Sequence, residues 1–292
     1  MLFIIQFPNI SPDIFSIEIF GTTLALRWYA LAYIAGILFG WQYIVALVKR
    51  DRLWINAPMA ARQVEDLMTW MVVGIIVGGR LGFVLFYNWG YYSQNVIEIA
   101  KVWNGGMSFH GGLLGVIIAA LLFSWRNKLS YLSVGDAVAA GAPLGLLFGR
   151  IANFINGELW GRPSDASWAV IFPSDVAQSC PLDWGIVCAR HPSQLYEAAL
   201  EGAVLFILMG WFIWRKGGFK VPGRMIGIFL AGYGIARFIV EFFREPDEQF
   251  LNANALGHVV SIGDIGVTMG QLLSLPMILG GILLLSLGKM RK

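Results

Sequence analysis

Apolar residues run along this chain in seven long blocks, at 24–48, 67–87, 107–125, 135–154, 195–214, 225–243 and 269–287. An α-helix needs about 20 such residues to cross a hydrocarbon core roughly 30 Å thick. The pattern therefore predicts an all-α polytopic membrane protein with seven transmembrane helices, forming one integral membrane domain over residues 1–292. Segments 161–190 and 245–268 fall between blocks and are expected to be external loops. The third block is the weakest, because His110, Gly111 and Gly112 open it. The fourth is rich in glycine, which lets helices approach closely.

Loop charges orient the blocks. Lys49, Arg50, Arg52 and Arg62 follow the first, Arg126 and Lys128 the third, and Arg215, Lys216, Lys220 and Arg224 the fifth. Lys289, Arg291 and Lys292 follow the seventh, so 13 of the 21 Lys and Arg fall on one side. Basic residues mark cytoplasmic loops. The N-terminus is thus predicted outside, in the periplasm, and the C-terminus in the cytoplasm. The first residues include Pro8 and Pro12 and lack a basic stretch or a small-residue cleavage site, so export is expected to rely on internal segments.

Composition supports the membrane reading. The chain is 57% hydrophobic and 13% charged, where soluble domains are about 25% charged. Its 12 Trp and 20 Phe suit interfacial belts. A net charge of +3 without a basic tail argues against nucleic acid.

Three arginines sit where the pattern predicts lipid depth. Arg80, Arg150 and Arg237 lie in blocks two, four and six, each past the midpoint of a helix running outward. An Arg at the bilayer centre costs about 2.5–3.5 kcal/mol on insertion scales, so such residues face a polar interior. All three are expected to converge toward the outer leaflet.

Other polar residues gather at the same depth. The stretch GRIANFINGELWGR, from Gly149, carries Arg150, Asn153, Asn156, Glu158 and Gly161. On a continuing helix Arg150, Asn153 and Gly157 would share a face. In GYGIARFIVEFFREPD, from Gly232, Tyr233, Arg237 and Glu241 are spaced by four, and Arg244 follows. A guanidinium offers planar paired donors that match phosphate oxygens, while an Arg237–Glu241 pair holding helices together is the plainer alternative. His110 opens HGGLLG and can take a proton near neutral pH, although a lone His is more often structural. The segment HPSQLYE, from His191 to Glu197, opens block five, with Ser193 as a candidate N-cap. Tyr29 ends RWY at the outer end of block one and also fits a belt position.

Several chemistries drop out. Three scattered His and two Cys make no metal spacing, and no phosphate loop of Walker type occurs. Cys180 and Cys188 share the 161–190 loop, where either a disulfide or two thiols would fit.

Together, WNGGMSFHGG, GRIANFINGELWGR, HPSQLYE, GYGIARFIVEFFREPD and VGGRLGFVLFYN resemble the bacterial prolipoprotein diacylglyceryl transferases, in order along most of the chain. The resemblance implies a multi-pass protein of the bacterial inner membrane with no cofactor and no metal. It implies transfer of diacylglycerol from phosphatidylglycerol to the lipobox cysteine of a lipoprotein precursor, releasing glycerol phosphate. The partners implied are phosphatidylglycerol, the precursor's signal peptide and the surrounding lipids. Carried over by motif, His110, Arg150, Asn153, Glu158 and Gly161 are the essential positions, and Tyr29, Tyr233, Arg237 and Glu241 line the site. Arg80, Asn156, Glu197 and Arg244 are further expected substrate contacts. The sequence departs at Arg27, where some relatives would carry His, and no motif covers residues 163–189. The chemistry expected is thiol attack on the glyceryl carbon, with Arg150 and Arg237 on the phosphate and His110 as candidate base. An anion transporter would also bury arginines, but it commonly carries repeated halves, and no repeat is evident here.

Overall fold

A computed structural model describes residues 5–19, 22–180, 187–246, 257–262 and 265–290. Much of the expected external loop 245–268, and Arg291 and Lys292, lie outside these. In chain order the elements are β1 (Ile5–Gln6), β2 (Asp13–Ile19), β3 (Thr22–Arg27), α1 (Trp28–Val48), α2 (Ala61–Phe86) and α3 (Trp89–Tyr92). After two 3₁₀ turns come α4 (Phe109–Arg126), α5 (Tyr131–Ile155) and β4 (Val170–Ile171). Then follow α6 (Ser193–Lys216), α7 (Arg224–Val240), β5 (His258–Ile262), β6 (Ile265–Thr268) and α8 (Met269–Met290).

Six helices, α1, α2, α4, α5, α6 and α8, are long and apolar enough to cross a membrane. The remaining block forms α7, a 17-residue helix about 26 Å long at 1.5 Å per residue. Large side chains such as Phe39, Val77, Leu85, Ile207 and Leu283 stand exposed along these helices, as lipid-facing positions do.

The fold is mostly helical rather than wholly so. Among the described residues, β2 pairs antiparallel with β3, β5 with β6, and β1 parallel with β4. Residues 24–27 belong to β3, so α1 starts at Trp28 and not at 24. Hydropathy alone joined them, because an apolar strand leading into an apolar helix has no composition break. The second helix begins earlier than predicted, at Ala61, where the Gln63 side chain accepts the Ala60 N–H at 2.9 Å. Ser108 caps α4 by accepting from Gly111 N at 3.2 Å, which offsets the weak first turn. Inside α6, residues Ala198–Val204 are π-helical.

The chain folds as two compact units, one of residues 1–40, 139–218 and 224–292, the other of 41–138 and 219–223. In the second unit α2 packs on α4 through glycines. A Cβ at Gly74 would come 2.5 Å from the Gly115 carbonyl oxygen, so that approach requires glycine. In the first unit α7 meets α8 similarly, at Gly227 and Gly234. Cys180 and Cys188 form a disulfide, which settles the alternative their shared loop leaves open.

Candidate active site

The site in the first unit is built from the C-terminal ends of α5 and α7 and the start of α6. Helix α5 carries Arg150 and Asn153 in its last turns and stops at Ile155. It does not continue to Gly157, which takes φ +65°, so the expected helical face of Arg150, Asn153 and Gly157 is not formed. The chain turns instead, and Glu158 folds back, with its N–H donating to Asn153 O at 3.1 Å. The Glu158 carboxylate accepts from Asn153 Nδ2 at 2.8 Å and Asn156 Nδ2 at 3.3 Å. These three residues therefore hold one another.

This turn is fastened to the start of α6. Gln194 Nε2 donates to Glu158 O at 2.6 Å, and the Ser193 hydroxyl to Leu159 O at 3.0 Å. Ser193 is thus not the N-cap predicted from sequence; Pro192 holds that place, with no capping side chain. The Ser193 side chain is fully buried, and a buried hydroxyl is costly without a hydrogen-bond partner, which the Leu159 carbonyl supplies. Gly161 donates its N–H to His191 O at 2.8 Å and bridges to Arg244. A Cβ there would lie 2.8 Å from both Cβ and O of His191, so only glycine fits.

Helix α6 supplies the centre. Glu197 is fully buried, with Oε2 2.7 Å from Arg150 Nε and Oε1 2.8 Å from Arg237 Nη1. Arg244 Nε lies 3.8 Å from the same Oε1. Arg237 Nη2 also meets Glu241 Oε2 at 2.7 Å, and Glu241 Oε1 accepts from the Thr268 hydroxyl at 2.9 Å. Glu201, one turn after Glu197, lies 3.8 Å from Arg150 Nη2. Three guanidiniums thus share three carboxylates, two from α6 and one from the chain just beyond α7. A buried carboxylate is tolerable only with such partners, because desolvation costs several kcal/mol per ion. The arginines are less buried than their partners: 21% of the Arg150 side chain and 14% of Arg237 stay accessible. Surface therefore remains on both guanidiniums for an incoming anion.

Tyr233 sits one turn before Arg237, within electrostatic reach of Arg237 and Arg150. Tyr29, whose hydroxyl is 2.9 Å from that of Tyr33, is within reach of Arg150 and Glu158. Beside the cluster, the Tyr196 hydroxyl accepts from Trp168 Nε1 at 2.7 Å and lies 3.0 Å from His191 Nδ1. Burial pushes His191 below its usual 6.5, opposed by the charge of Asp165.

Arg80 and His110 belong to the second unit. Arg80 Nε donates to Ile99 O at 2.9 Å and Nη2 to Glu98 O at 2.6 Å, while Nη1 donates to Gly105 O and Gly106 O. Its guanidinium also stacks 4.9 Å from the Tyr92 ring centre. The charge thus caps the 3₁₀ turn Val96–Ala100 and ties down the chain before α4. His110 stands exposed in the first turn of α4, its ring edge-on to Phe109.

The sequence patterns pick out Glu197 but miss Glu201, Gln194 and Thr268. Glu201 carries a usable signal, since it is a carboxylate in mid-span and the cost that marks the arginines applies to it equally. Gln194 and Thr268 have no such signal, because a neutral polar residue near a helix start is commonplace.

The profile of the family described as prolipoprotein diacylglyceryl transferase matches residues 15–287. A phosphatidylglycerol–prolipoprotein diacylglyceryl transferase of Cereibacter sphaeroides is 58% identical over 95% of this chain and 96% of its own length. One from Roseobacter denitrificans is 58% identical over 97% of each chain, and one from Ruegeria pomeroyi 57% over 96% and 95%. Residues 15–287 take in the clustered Arg150, Glu197, Arg237 and Glu241, and by this match the chain belongs to the prolipoprotein diacylglyceryl transferase family, multi-pass proteins of the membrane.

Proposed function

We propose that this chain transfers the diacylglyceryl group of phosphatidylglycerol to the lipobox cysteine of a lipoprotein precursor, at the outer leaflet of the bacterial inner membrane. The names of its relatives supply the reaction. The observation that carries it here is the Glu197 carboxylate joining Arg150 and Arg237 while both guanidiniums keep accessible surface. In this reading α7 is a seventh span, and the basic loops place the N-terminus outside and the C-terminus in the cytoplasm. The precursor's signal helix and the donor lipid both reach the site from the bilayer.

The reaction is displacement at the glyceryl CH₂. The cysteine sulfur forms a bond to that carbon, the C–O bond to phosphate breaks, and glycerol phosphate leaves with the electron pair. Two demands follow. The thiol, ordinarily near pKa 8.5, must lose its proton to become a nucleophile. The phosphate gains charge as the bond breaks, and preorganised cations stabilise that charge most where water is excluded. Arg150 and Arg237 hold the phosphate in paired contacts, with Glu197 and Glu241 fixing their planes. Asn153, Asn156 and Glu158 shape the turn beside them, Gly161 allows its close packing, and Arg244, Tyr233 and Tyr29 line the rim. His110 takes the thiol proton, and Arg80 acts at a distance by shaping the segment that leads into α4.

Complementation tests the assignment. A strain depleted of its transferase should regain growth and diacylated lipoprotein when it expresses this chain. A correctly inserted protein that restores neither would exclude the reaction.

A further inference from the structure

Glu201 is the one carboxylate of the cluster to which the reaction gives no work. It lies in the π-helical stretch of α6 and is fully buried, yet among the described residues neither of its oxygens has a hydrogen-bond partner. Its nearest cation, Arg150 Nη2, is 3.8 Å away, whereas Glu197 and Glu241 hold guanidiniums at 2.7–2.8 Å. The stretch lies close on α5: a Cβ at Gly202 would come 2.8 Å from Leu147 Cα. The charged and titratable groups facing Glu201 are Arg150 from α5, Tyr233 and Arg237 from α7, Arg244 after α7, and Glu197 on its own helix.

Charge counting shows why this matters. Three guanidiniums against three ionised carboxylates leave the cluster neutral. A phosphodiester anion added to it leaves one uncompensated negative charge at low dielectric, which is costly. The least expensive relief is protonation of the carboxylate with the fewest contacts, because that group loses least on becoming neutral.

We propose that Glu201 takes up a proton from solvent when the phosphodiester binds, and so acts as a positioning residue that frees Arg150 Nη2 for the phosphate. The inference rests on the phosphate-clamp reading above. Its consequence is a substrate affinity linked to one proton, held outside the reacting atoms.

Calorimetry of the full chain in detergent tests it, with short-chain phosphatidylglycerol as the probe and no precursor present. A phosphodiester does not itself titrate near neutral pH, so any proton exchange belongs to the protein. Titrations in two buffers of different ionisation enthalpy should show uptake approaching one proton per lipid bound in the wild type, and none in Glu201→Gln. In turnover assays, KM for the lipid should rise up to about tenfold per pH unit on the alkaline side and lose that slope in Glu201→Gln. Absence of uptake in the wild type overturns the proposal whether or not the variant folds. So does uptake that persists unchanged in a folded Glu201→Gln. A wild type that binds lipid with proton uptake but never modifies a lipobox peptide overturns the transfer reaction instead.

Discussion

The Glu197 carboxylate on α6 meets Arg150 on α5 through Oε2 and Nε, 2.7 Å apart, with the carboxylate fully buried. The contact joins two helices, and through Oε1 it extends to Arg237 on a third. Removing Glu197 therefore leaves two arginines without their shared partner. Breaking one side of a buried pair costs about 3–5 kcal/mol. Misplacing catalytic groups by about 1 Å costs about 100-fold in rate. Glu197→Gln should unfold at lower temperature in detergent and lose about 100-fold in transfer. A variant with unchanged melting and turnover would show that the hub organises nothing.

Arg237 uses Nη1 for Glu197 and Nη2 for Glu241, a fork that a lysine cannot copy. Arg237→Lys keeps the charge but should lower kcat/KM by about 100-fold, the scale seen when one transition-state donor is lost. Activity like the wild type would remove the paired clamp from the mechanism.

Gly161 touches both His191 and the Phe243 carbonyl. Gly161→Ala should destabilise the fold by about 1–3 kcal/mol, through overpacking against backbone that cannot move aside. Thermal unfolding of the purified variant reads this directly, and an unchanged midpoint would refute it.

His110 is the base of the proposed reaction, and general bases contribute about 10²–10⁴-fold. His110→Gln should reduce kcat by at least about 100-fold, with lipid binding retained. Near-normal turnover would assign proton removal to another group.

His191 predicts a pH dependence. Its folded form is held below the usual 6.5 by burial, so the unfolded chain binds more protons in mildly acid solution. Its contribution to stability is complete above 6.5, declines as pH falls below that value, and levels off once the folded imidazole also protonates. Melting temperature against pH should show this slope in the wild type and a shallower one in His191→Gln.

The chain alone determined that this is a helical membrane protein with its polar chemistry near one end of its spans. Hydrophobic length and loop charge are local properties, so the six long helices, α7 and the cost of Arg150 and Arg237 could be read without knowing what packs where. The motifs around Arg150, His191 and Arg237 likewise sufficed for the family. Tertiary structure decided the partnerships. Glu197 meets Arg237 40 residues away because α6 and α7 present particular faces to each other, and no local spacing encodes that choice. The same holds for Ser193, whose hydroxyl serves the Leu159 carbonyl and not the end of its own helix. Arg80 is likewise drawn to backbone carbonyls 18 to 26 residues further along. Sequence shows that a buried polar group must find a partner, and only packing selects which one.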